Sequence, residues 1–181
     1  MSFRQMEVES SMLTPCHYQL ELIDAARERN ILIPSDNNNS KSFVAIMAIR
    51  EMAAAVRIPF RMGGKRVVWL VDKAPSVSQK AERLRIHTNL EVGEYTDEKY
   101  NSWNSDKWRE TFSRNQVLVM TGGVFCFLLD NRFLGIERTN LLIFDDCHLC
   151  LDKHPYHRIM HYHMQCPAGT ELFIYRFDLH A

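Results

Sequence analysis

A three-layer α/β domain with a mostly parallel sheet is the fold this sequence predicts, and three observations predict it. Short, near-continuous apolar runs recur along the chain: "ILI" at 31–33, "RVVWLV" at 66–71, "QVLVMT" at 116–121 and "NLLIFDD" at 140–146. Segments of helical periodicity separate them. The chain has 181 residues, 46% of them hydrophobic and 24% charged, which is room for one sizeable core. Strands without polar alternation are buried on both faces, and strands that alternate with helices form a parallel sheet covered on both sides.

Each element has a local cause. Thr14 followed by Pro15 is a helix start, a capping hydroxyl and then a ring that needs no N–H partner; Tyr18, Leu22 and Ala25 or Ala26 carry the helix to about Arg29. The strand at 31–33 leads through "IPSDNNNSKSF" into the Ala-rich helical run "SFVAIMAIREMAAAVR". After the strand at 66–71 a helix runs from Pro75 to about Ile86, followed by the strand-like "LEVGEY" at 90–95 and the amphipathic "DKWRETFSR". The strand at 116–121 opens into the helical "GVFCFLLDNRF", and the strand at 140–146 into "HPYHRIMHYHM". Met47, Met52, Phe125 and Phe127 read as core, Trp103 and Trp108 as anchors of the connecting helix, and the late run "LFIYRF" as a segment that docks on the sheet.

Composition narrows the function classes. Lys+Arg and Asp+Glu both number 22, so no global basic field announces nucleic acid. No apolar run approaches the roughly 20 residues of a membrane span, and "MSFRQMEVESSM" lacks the apolar core of a secretory signal, so the chain reads as cytoplasmic with no membrane partner. Of five cysteines, Cys147, Cys150 and Cys166 crowd the end of the chain, which suits reduced thiols better than a disulfide framework.

Ligands bind such sheets at the carboxyl ends of the strands, and two loops there carry chemistry. The first ends in Lys41-Ser42, in the strand-loop-helix order of a phosphate loop, although Asn38, Asn39 and Ser40 stand where a Gly-rich sequence is expected. The second is "IFDDCH", a strand ending in Asp145, Asp146 and His148. In a P-loop ATPase a lysine neutralises the β- and γ-phosphates, a neighbouring hydroxyl ligates Mg2+, and an acid on another strand completes the metal site. Lys41, Ser42 and Asp145 fill those posts, with ATP and Mg2+ as the ligands. A competing reading is a zinc site, from Cys147 and Cys150 at C-x-x-C spacing followed by His154, His157, His161, His163 and Cys166.

Five stretches in order, "TPCHYQLELIDAARERN", "GKRVVWLV", "LEVGEY", "QVLVMT" and "NLLIFDDCHLCLDKHPYHRIM", resemble the first RecA-like half of the helicase region of the Dicer family. The resemblance covers residues 13–167, leaving an N-terminal tail at 1–12 and a divergent tail at 168–181. It implies that Gln19 reads adenine, that Lys41 and Ser42 end the Walker A motif, and that Asp145 and His148 are the first and last letters of a D-E-C-H box. Two departures accompany it. The family's loop glycines fall at Asn38 and Ser40, and its catalytic glutamate falls at Asp146. A β-carbon at Ser40 intrudes on phosphate space and Asp146 is one methylene short, which favours binding over turnover. The Ser/Thr-Ala-Thr motif is missing from "AGTELFIYRFDLHA", so the resemblance implies an incomplete domain without RNase III activity. Its implied role is a platform for double-stranded RNA or a microRNA precursor and for dsRNA-binding partner proteins; an active ATP-hydrolysing module is the alternative.

Overall fold

In the computed structural model the described residues are 17–28, 30–34, 38–96, 100, 102–146, 154–167, 170 and 172–178, with backbone alone at 18, 26, 34, 38–40, 177 and 178. The helix start at Thr14-Pro15 lies outside them. Helix α1 spans His17–Glu28 and leads to strand β1, Ile31–Pro34. Helices α2, Asn38–Glu51, and α3, Ala53–Val56, follow. The sequence predicts one continuous helix there, and the interruption at Met52 is slight: its N–H still donates to Ala48 and its carbonyl still accepts from Val56. Asn38, Asn39 and Ser40, expected in the loop, instead make the first turn of α2.

The remaining elements alternate as expected. Strand β2 is Arg66–Val71, α4 Ala74–His87, β3 Val92–Tyr95 and α5 Ser105–Arg114. Strand β4 is Val117–Thr121, α6 Gly122–Asp130, β5 Thr139–Phe144, α7 Pro155–Met164 and β6 Phe173–Asp178. Local chemistry sets several starts: Pro75 lies in the first turn of α4, Asn104 Oδ1 accepts from Lys107 N at 3.0 Å at the head of α5, and Thr121 caps α6.

The six strands form one all-parallel sheet in the order β1-β6-β5-β2-β4-β3. Every residue of β2 and of β4 is buried. Alternate residues feed two cores. Val67, Trp69, Val71, Ile143 and Tyr175 pack with α1, α2 and α4 on one face; Val68, Leu70, Met120, Phe144 and Ile174 pack with α5, α6 and α7 on the other. Trp108, fully buried, stacks on Phe112 and meets Tyr95, Tyr100 and Trp103, which ties the β3–α5 connection to the second core. Helices α6 and α7 approach closely at Gly122, where a β-carbon would stand 3.0 Å from Pro155 Cβ.

Strand β6 departs most from the sequence reading. The segment expected to dock on an uncovered face or edge of the sheet is threaded between two strands, pairing Tyr175 with Ile31 on one side and with Ile143 on the other. Ile174 N–H also donates to Asn30 Oδ1 at 2.8 Å. Among the described residues β6 is the one strand that pairs with β1. Ile174 and Tyr175 are each 2% exposed, one in each core, and burial pushes the Tyr175 hydroxyl up in pKa.

Two predictions follow from this packing. Deleting residues 168–181 leaves β1 without its neighbour, so the shortened chain loses its cooperative melt, and Ile174→Ala lowers stability by about 2–5 kcal/mol. Urea denaturation followed by circular dichroism measures both, and an unchanged midpoint in either variant contradicts the placement of β6. Buried Cys126 supplies the second prediction, because loss of hydration raises its thiol from 9.0 to about 11. The folded state favours the neutral thiol, so stability falls as pH climbs through that interval, where the unfolded chain releases the proton first. In Cys126→Ala this component is missing, and denaturation midpoints at stepped pH show the difference.

Candidate nucleotide site

Parallel pairing puts the ends of β1, β2, β4 and β5 along one edge, and the helices α2 and α4 start there. Lys41 and Ser42 occupy the first turns of α2, and both are fully buried. Among the described residues the Lys41 ammonium has no hydrogen-bond partner. Asp145 directly follows β5, its residue 6% exposed, and its backbone N–H donates to the Leu70 carbonyl at 2.9 Å, extending the ladder to β2 by one rung. Asp146 turns the chain away with φ 54°, a left-handed conformation that Asp tolerates better than most residues.

The side chain that joins these pieces is Lys80, in the middle of α4. Its Nζ lies 2.9 Å from Asp145 Oδ2 and donates a long bond of 3.5 Å to Ser42 Oγ. The same ammonium stands 5.3 Å from the centre of the Trp69 ring, over its face. Lys80 and Asp145 side chains are 12% and 8% exposed, so water screens the pair little. Both groups expected from sequence to share a divalent cation thus already share an ammonium. The sequence reading passed over Lys80. Its signal was positional: Val77, Ala81 and Leu84 mark the buried face of α4, and Lys80 sits on that face between them.

The other expected residues divide. Gln19 is 9% exposed on α1, the helix that packs on α2. Side chains of Asn38, Asn39 and Ser40 lie outside the described residues, as do His148, Cys147 and Cys150. No group of three His, Cys, Asp or Glu suited to a metal occurs among the described residues. His154 is occupied otherwise: its Nε2 lies 3.3 Å from Asp72 Oδ1, and its Nδ1 accepts from Tyr156 N at the head of α7. Cys126 and Cys166 are free thiols. No helix among the described residues is long and apolar enough to cross a membrane.

No protein-family model matches the chain. Curated relatives do. It is 39% identical over 159 residues to endoribonuclease Dicer of Gallus gallus, a match that takes in 87% of this chain and 8% of that protein. Identity to Dicer of Danio rerio is 39% over 166 residues, 92% of this chain and 9% of the relative. Dicer homolog 2 of Arabidopsis thaliana is 34% identical over 175 residues, 91% and 12% respectively. The chain therefore spans about a tenth of the length of the relatives it matches. In three dimensions it superposes on the helicase domain of Pyrococcus furiosus Hef with a TM-score of 0.71 at 20% identity, over 93% of this chain and 33% of that one. The sequence matches and the shared fold together make this chain a homologue of the Dicer endoribonucleases, folded as the RecA-like domain of their helicase region.

Proposed function

We propose that this chain is a degenerate DExH ATP-binding domain that holds a nucleotide without turning it over. In this reading it serves double-stranded RNA or microRNA-precursor processing in the cytoplasm, as a platform for the RNA and for dsRNA-binding partner proteins. Lys41 carries the nucleotide part. An ammonium that is fully buried and lacks a partner among the described residues costs several kcal/mol unless an anion joins it. It sits at the start of a 14-residue helix, where N–H groups and the helix dipole favour a phosphate. ATP fits such a position; Gln19 is the residue to contact its base.

The departures in the two motifs argue against turnover. Asn38 and Ser40 put β-carbons where glycines let backbone N–H groups close around phosphates, and Asp146 is shorter than the glutamate that orients an attacking water. The platform role rests on the kinship with Dicers.

Steady-state phosphate release tests this, with and without double-stranded RNA. Wild type and Lys41→Ala are expected to be indistinguishable from a protein-free control. The triple variant Asn38→Gly, Ser40→Gly, Asp146→Glu is expected to gain ATP affinity more than turnover. RNA-stimulated release by wild type that disappears in Lys41→Ala overturns the reading in favour of an active ATP-hydrolysing module.

A further inference from the structure

We infer that Lys80 is a built-in cation that takes the place of the divalent ion, so that the phosphate pocket accepts a nucleoside triphosphate free of metal. The inference rests on the nucleotide reading above and concerns the form in which the nucleotide binds. A divalent ion in a P-loop site needs the hydroxyl at the end of the loop and the acid at the end of another strand. Here the Lys80 ammonium reaches both, at 3.5 Å from Ser42 Oγ and 2.9 Å from Asp145 Oδ2. These residues do not fit the metal.

Three features hold the ammonium there. Asp145 is buried at the strand end and requires a counter-charge, which Lys80 supplies without leaving its helix. The Trp69 ring beneath it offers a cation its negative face. Flanking Val77, Ala81 and Leu84 pin α4 to the sheet, which fixes the root of the Lys80 side chain beside Asp145.

A divalent ion entering this space would have to displace the ammonium from its carboxylate. That would leave a nearly buried cation without its carboxylate and beside a doubly charged one, a like-charge arrangement that opposes entry of the metal. A polyphosphate meets the opposite situation. Lys80 is engaged by Asp145, while the buried Lys41 ammonium has no partner among the described residues and suits the anion. Mg2+ also keeps several waters and demands near-octahedral geometry, which a lysine tip in its place denies it.

Titration with a fluorescent ATP analogue, in Mg2+ buffer and in EDTA, tests the inference on the full chain. Wild type is expected to bind with the same affinity in both. Lys80→Gln is expected to lose about tenfold or more in EDTA, the loss of one charge-assisted contact to an anion, and to recover in Mg2+. Binding by wild type that needs Mg2+ overturns the role of Lys80 and leaves the nucleotide reading standing. Equal affinities of Lys80→Gln and wild type in EDTA also overturn it. No binding in either buffer, or binding that Lys41→Ala leaves intact, overturns the nucleotide reading and this inference together. The wild-type comparison needs no variant, so a misfolded Lys80→Gln does not shield the proposal.

Discussion

All six strands run in one direction, and the rest of the molecule depends on that constraint. A parallel neighbour cannot be reached by a tight turn, so each strand must return through a crossover across a face of the sheet. The crossovers supply the helices that cover both faces, and they deliver every strand's end to the same edge. For this reason Ser42 after β1, Lys80 on the helix after β2, and Asp145 after β5 meet although they are far apart in sequence.

Charge is buried at both edges of the sheet, and the two edges solve the problem differently. At the amino edge Arg66, 1% exposed, donates to the carbonyls of Phe112, Val56 and Lys65 at 2.7, 3.1 and 2.7 Å. Burial, with Arg138 nearby, pulls its pKa down to about 10, still high enough to stay charged at neutral pH. Those carbonyls come from α3, α5 and the segment before β2, so the guanidinium fastens three pieces of chain. At the carboxyl edge Lys80 is paired, whereas Lys41 has no partner among the described residues. The cation of the amino edge is held by backbone carbonyls, whereas the carboxyl edge keeps one ammonium without a partner among the described residues.

The insertion of β6 shows how strongly apolar surface decides placement. A strand at the edge exposes one row of backbone groups, and a strand between two others exposes none. Phe173, Ile174 and Tyr175 suit the interior because their side chains alternate between two existing cores, one on each face. The N-terminal α1–β1 unit joins the sheet through β6, so the end of the described chain completes the attachment of its beginning.

By itself the sequence determined the strand–helix alternation, because runs such as "RVVWLV" and "QVLVMT" have polar residues only at their ends and none within, and belong in a sheet buried on both faces. It likewise marked Lys41, Ser42 and Asp145, whose residue types at strand ends are local signals. The position of β6 was not legible, since "LFIYRF" states that it is apolar but not which neighbours it has; pairing is settled by the space left between β1 and β5. Nor was Lys80, which in "SVSQKAER" is one helix lysine among ordinary ones. Only the crossover of α4 over Trp69 brings its ammonium to Asp145, because an ion pair between residues 65 positions apart exists through packing and through nothing local.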